Sequence, residues 1–101
     1  MKIEILYVPG CPNLRPAADA VTRLLAAASL AVEISSIPVH SEVQAQTLRF
    51  PGSPTIRVNG NDVEPESAST VGLACRLYRN RSGIPGDDAI RRALAQAKGK
   101  E

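Results

Sequence analysis

The sequence has very few aromatic side chains. Tyr7, Phe50 and Tyr78 make up 3% of the chain, and tryptophan is missing. A core must therefore be built from Ala, Val, Ile and Leu, which supply most of the 44% hydrophobic residues. Charge of one sign is scarce too: 12 Lys and Arg face 10 Asp and Glu, a formal balance of +2. That field is too weak to argue for nucleic acid or an anionic membrane as a partner. No run approaches the roughly 20 apolar residues of a membrane span. There is one histidine, His40, and there are two cysteines, Cys11 and Cys75. No phosphate-cradling glycine loop, Ser/His/Asp set or zinc-type cysteine spacing is present, so no metal site is expected. Repeats, low-complexity tracts and linkers are missing as well, and residues 1–101 read as one domain. Met1–Val8 is short, carries Glu4 and meets Pro9-Gly10 at once. It reads as a strand rather than a signal peptide. The expected location is cytoplasmic, where the two cysteines are chemical or buried rather than a structural staple. Without a secretory signal, Asn80-Arg81-Ser82 has no meaning as a glycosylation acceptor.

The residues that are present fall into a readable order. Residues 2–8 are mostly apolar, which suits a strand in the middle of a sheet. Pro9-Gly10-Cys11-Pro12 ends it. A helix is predicted from Asn13, a good N-cap residue, to Ser29, with Pro16 in its first turn. Leu14, Ala18, Val21, Leu25 and Ala28 make its apolar stripe, widened by Ala17 and Leu24. Arg15, Asp19 and Arg23 lie on the solvated side. Residues 31–37 alternate around Val32 and Ile34 and predict a second strand. Ser41-Glu42-Val43-Gln44 matches a capping box, which predicts a short helix over Glu42–Leu48. Thr55–Val58 is a third strand, Asn59-Gly60 a two-residue hairpin turn, and Asp62–Glu64 a short return strand. Residues 65–86 are the least legible. Leu73–Tyr78 reads as a strand with Leu73, Cys75 and Leu77 on its buried face, or as a helical turn; strand is preferred. Asp87 or Asp88 caps a last helix carrying Ile90, Ala93, Leu94 and Ala97, with Lys98 suited to its C-terminal end. Gly99-Lys100-Glu101 is expected to fray. The predicted fold class is α/β: a βαβ unit, then a hairpin and a helix, giving a mixed sheet of about four strands sandwiched by helices.

Cys11 leads the residues that could carry chemistry. It lies between a strand end and the N-terminus of the longest helix, where free amides and the dipole favour a thiolate over a thiol. Arg15 would add to the effect if it turned toward the sulfur. Pro54 is second. It stands just ahead of a strand, and X–Pro bonds are the only ones readily cis. A cis bond there would aim the Ser53 backbone and the Thr55 side chain toward a neighbour. Cys75 would resolve an adduct on Cys11, add a second soft ligand, or simply be buried between Leu73 and Leu77; burial is preferred. His40 reads as a solvated connector. Arg76, Arg79 and Arg81 read as a solvated basic face. Asp62, Glu64 and Glu66 read as turn and surface charges.

Tyr7-Val8-Pro9-Gly10-Cys11-Pro12-Asn13-Leu14 is similar to the active-site segment of the thioredoxin-like superfamily. Phe50-Pro51-Gly52-Ser53-Pro54-Thr55-Ile56 resembles that family's cis-proline loop. Gly10-Cys11-Pro12-Asn13, taken with Gly72-Leu73-Ala74-Cys75-Arg76, looks like small bacterial thioredoxin-fold proteins with a single active-site cysteine. The resemblance covers about residues 2–64 and the last helix. It implies a thioredoxin-like fold, Cys11 as the catalytic thiol beside a cis Pro54, and a substrate groove made by Pro12, Ser53, Pro54 and Thr55. It also implies that backbone near Ser53 pairs with an extended thiol substrate. The chain departs from the pattern at Leu14, where the family's second cysteine stands.

The expected activity is therefore thiol–disulfide exchange by a monothiol, with a protein or glutathione-like thiol or disulfide as partner and no cofactor beyond an external reductant. Two rivals stand beside it. One is a soft-metal site, for mercury, copper(I) or an organomercurial, held by Cys11 and Cys75. The other is a binding domain that has kept the fold without the catalysis.

Overall fold

A computed structural model describes residues 1–99. The described residues form strands β1 (Ile3–Tyr7), β2 (Ile34–Pro38), β3 (Thr55–Val58) and β4 (Asn61–Asp62), with helices α1 (Leu14–Ala27), α2 (Glu42–Leu48) and α3 (Asp87–Gly99). The fold is α/β with a four-stranded mixed sheet in the order β2-β1-β3-β4. β1 runs parallel to β2 and antiparallel to β3, so the α1 crossover leads to one side of β1 and the hairpin lies on the other.

Side chains alternate across β1, and each set meets a different layer. Ile3 and Ile5 pack in one fully buried cluster with Val21 and Leu24 of α1 and Ile90 and Leu94 of α3. Leu6 faces the other way, into a smaller cluster with Val39, Phe50 and Ala45 of α2. Helices thus cover both faces of the sheet. Among the described residues, no helix is long and apolar enough to cross a membrane.

Local rules explain most boundaries. Ser41 Oγ accepts the Gln44 amide at 3.1 Å and starts α2. The reciprocal bond lands one residue early, on His40 N–H at 2.8 Å. Asn59 and Gly60 take φ of 52° and 82°, the paired positive values of a tight hairpin turn. Asn13 occupies the α1 N-cap but makes no side-chain cap bond. Its amide lies where a Cβ on Gly83 would stand. The buried face of α1 is Ala17, Ala20, Val21, Leu24 and Leu25. Leu14 and Ala18 are half-buried and Ala28 is exposed, so the expected stripe is turned by one position. Arg15, Asp19 and Arg23 are exposed, and Arg23 pairs with Asp87 at 2.9 Å.

Other boundaries move. β2 begins at Ile34, three residues later than the alternation predicts, because pairing starts where Ile34 meets Ile3. β4 ends at Asp62, since beyond it Asp62 Oδ1 accepts the Glu64 amide at 2.8 Å and turns the chain. α3 opens with Asp87 and Asp88 inside its first turn rather than as caps, and it continues through Gly99. Of the residues expected to fray, Lys100 and Glu101 lie outside the described residues.

Phe50 is fully buried and anchors the α2 side of the sheet. Phe50→Ala is expected to lower the unfolding free energy by about 3–5 kcal/mol, the usual penalty for such a cavity. Urea denaturation measures it, with the 76%-exposed Val43 changed to Ala as the control.

Candidate functional site

The site lies at the carboxyl end of β1, where α1 departs toward β2 and the chain later returns on the far side as β3. Open α/β sheets bind ligands at such points. Val8 continues β1 and organises the turn from both its polar atoms. Its carbonyl accepts the Cys11 amide at 3.0 Å, and its N–H donates to Ser53 Oγ at 3.0 Å. The turn that holds Cys11 is thus tied through one residue to the Ser53–Pro54 loop. The Ser53–Pro54 bond is cis. Cys11 is half-buried and Pro12 is exposed.

Less amide capacity converges on Cys11 than the sequence suggests. The Leu14 amide donates to the carbonyl of Cys11 itself at 3.4 Å, Ala17 N–H goes to Asn13 O at 3.1 Å, and Pro16 has no N–H. Arg15 is exposed. Cys11 stands three residues before the first residue of α1. Leu14 packs against the larger core cluster and supplies no polar group to the turn.

Residues 72–78 form a strap across the Phe50–Thr55 loop. Gly72 N–H donates to Phe50 O at 3.1 Å. Ser53 N–H donates to Ala74 O at 3.0 Å, and Arg76 N–H donates to Ser53 O at 3.0 Å. Ser53 and Cys75 are therefore partners in an isolated parallel bridge. Tyr78 Oη donates to Pro54 O at 2.6 Å. Ser53, Pro54 and Thr55 are all buried as a result. Backbone that the resemblance assigns to an extended substrate is already held by this chain. Thr55 Oγ1 donates inward to Gly52 O at 2.7 Å and accepts from Arg76. Gly52 permits the close approach: at φ 128°, an added Cβ would come within 3.0 Å of Arg76 Cβ and 3.1 Å of Ala74 O.

Four expectations are overturned along this strap. Leu73–Tyr78 is neither a strand nor a helical turn: the chain bends through Ala74 and makes a single bridge at Cys75. Leu73 packs against the smaller core cluster as expected, but from Cys75 on the parity is reversed: Cys75 and Leu77 are exposed, while Arg76 and Tyr78 are buried. Cys75 is thus a surface thiol, not a buried hydrophobe. Arg76 is not part of a solvated basic face, although Arg79 and Arg81 are exposed.

The cause is a set of partners that the sequence does not advertise. Arg76 donates to both Asp62 carboxylate oxygens at 2.7 and 2.9 Å, to Glu64 O at 2.8 Å, to Ser67 Oγ at 2.9 Å and to Thr55 Oγ1 at 3.1 Å. Its guanidinium carbon lies 4.2 Å from the Tyr78 ring centroid. Only Nε lacks a hydrogen-bond partner among the buried side-chain atoms of the described residues. Asp62 and Glu64 are accordingly not surface charges: Asp62 pairs with Arg76, and the buried Glu64 accepts the Arg79 amide at 3.0 Å. Glu66 and His40 are exposed.

Comparison with protein-family models, curated proteins and solved structures finds no match. Among the described residues, no group of three or more His, Cys, Asp or Glu side chains is placed to hold a metal ion.

Stranding one partner of a buried ion pair typically costs about 3–5 kcal/mol. Asp62→Ala is expected to fall in that range by urea denaturation, and Asp62→Ala/Arg76→Met to recover part of the loss. A loss below about 1 kcal/mol would place the pair with ordinary surface pairs.

Tyr78 makes the strap sensitive to alkali. Burial pushes its phenol well above the ordinary 10.0; Arg76 opposes the rise, and Asp62 and Glu64 add to it. The folded state thus holds this proton at pH values where the unfolded chain has released it. The contribution is complete below about pH 10 and is lost as pH rises beyond it. The stability gap between wild type and Tyr78→Phe is expected to narrow as pH climbs above that value. A gap that stays constant refutes the linkage.

Proposed function

We propose that the chain is a thioredoxin-like thiol–disulfide exchange protein with Cys11 as its nucleophile. The observation that carries this reading is the hydrogen-bond path from the Cys11 amide through Val8 to Ser53 Oγ. It ties an accessible thiol, in the turn between a central strand and the longest helix, to the loop that carries a cis proline. The α/β architecture, with helices on both faces of a mixed sheet, is compatible with it.

The chemistry requires no cofactor. The Cys11 thiolate attacks one sulfur of a disulfide R–S–S–R′. The S–S bond breaks, a bond forms between Cys11 Sγ and R–S, and R′–S⁻ leaves with the electron pair and takes up a proton. A thiol of the glutathione class then attacks the mixed disulfide and returns Cys11 to its reduced form. The substrate approaches from the open side of the turn, past exposed Pro9, Gly10 and Pro12. The Ser53 backbone is committed to residues 74–76, so a long peptide is not gripped there unless the strap lifts.

With glutathione in excess, the chain is expected to accelerate reduction of a small dialkyl disulfide such as hydroxyethyl disulfide. Cys11→Ser is expected to reduce the rate to that of glutathione alone. Undiminished turnover by a folded Cys11→Ser chain rules the proposal out.

A further inference from the structure

Resting on that reading, we infer that Cys75 is the resolving thiol for Cys11, supplied by the strap rather than by the helix. Three observations converge. First, both cysteines are connected to Ser53, Cys75 directly and Cys11 through Val8. The Cys11 turn reaches Ser53 through Val8 and the Ser53 hydroxyl, and Cys75 is the bridge partner of the Ser53 backbone. Second, bridged residues on neighbouring strands, about 4.8 Å apart, set their side chains on one face. The Ser53 side chain reaches Val8 N, and the Cys75 side chain leaves the strap on the same face as the Ser53 side chain. Arg76, next along, turns the other way into the Asp62 and Thr55 cluster. Third, both thiols are free and reachable: Cys75 is exposed and Cys11 is half-buried. A disulfide needs Cα atoms within about 7 Å. Both cysteines sit in irregular chain close to a glycine of positive φ, Gly10 at 87° and Gly72 at 159°.

The step balances. After Cys11 has formed its mixed disulfide with R–S, the Cys75 thiol ionises and its sulfur attacks Cys11 Sγ. The Cys11–S–R bond breaks, the Cys11–Cys75 bond forms, and R–S⁻ leaves with the electron pair and takes up the proton that Cys75 released. The substrate disulfide is reduced to two thiols, and the two cysteines of the chain are oxidised to one internal disulfide. A dithiol, or two thiols of the glutathione class, reduces it again.

Intact-mass measurement on the full chain tests this. The reduced protein is treated with oxidised glutathione, quenched in acid and weighed, beside Cys75→Ser and Cys75→Ala. Wild type is expected to end as a monomer lighter by a pair of hydrogens and carrying no glutathione. Both variants are expected to accumulate glutathione on Cys11. Glutathione that persists on wild type as long as on Cys75→Ser overturns the resolving role and leaves the Cys11 chemistry standing. A disulfide between two chains overturns it in the same way. If Cys11 in the Cys75 variants takes up no glutathione at all, the exchange reading itself falls, and the resolving role with it.

Discussion

A buried guanidinium organises the second half of this protein. Removing a charge from water is tolerated only where a counter-charge and hydrogen bonds replace the lost hydration. Arg76 receives both. Asp62 supplies two carboxylate oxygens from the end of β4, Glu64 a carbonyl, and Ser67 and Thr55 hydroxyls. Those partners come from the hairpin, the turn after it and the start of β3. One side chain thereby fixes a segment that has little regular structure of its own.

Fixing Arg76 also fixes parity. Side chains of an extended chain alternate, so burying Arg76 and Tyr78 turns Cys75 and Leu77 outward. A shift of one residue would bury the thiol and strand the guanidinium in solvent. Gly52 allows the strap to close on the loop beneath it, where any side chain would meet Arg76 and Ala74. The exposure of Cys75 is thus a consequence of electrostatics on the opposite face of the same segment.

The first sixty residues were legible because their signals are local. The Ser41 cap, the Asn59-Gly60 turn and the apolar run of β1 each specify their element within a few positions. Cys11 was legible for the same reason, as a thiol between a strand and a helix. The strap was not, because what decides it is long-range. Leu73, Cys75 and Leu77 form a plausible apolar face, and nothing near Arg76 in sequence marks it for burial. Its counter-ion is 14 residues away and its Thr55 partner 21. The signal was present in the hairpin, where an Asp and a Glu at its return edge are unusual for charges with no task, but only the fold brings them to Arg76. Asn13 fails in a similar way: its cap position holds, while its side chain is drawn to Gly83, seventy residues on.

In the proposed exchange chemistry, the roles of the two cysteines follow from the same geometry. A helix that needs Leu14 to pack against its core has no place for a second thiol one turn from Cys11. A thiol carried on the strap escapes that conflict, because its position is set by backbone bonds to Ser53 and by the Arg76 cluster rather than by the packing of α1. Its effective concentration at Cys11 is then a property of how firmly the strap is docked. In the proposed resolving step, a docked strap favours the internal disulfide. The buried Arg76–Asp62 pair, which sets the parity of the strap, is thus the interaction that turns Cys75 outward.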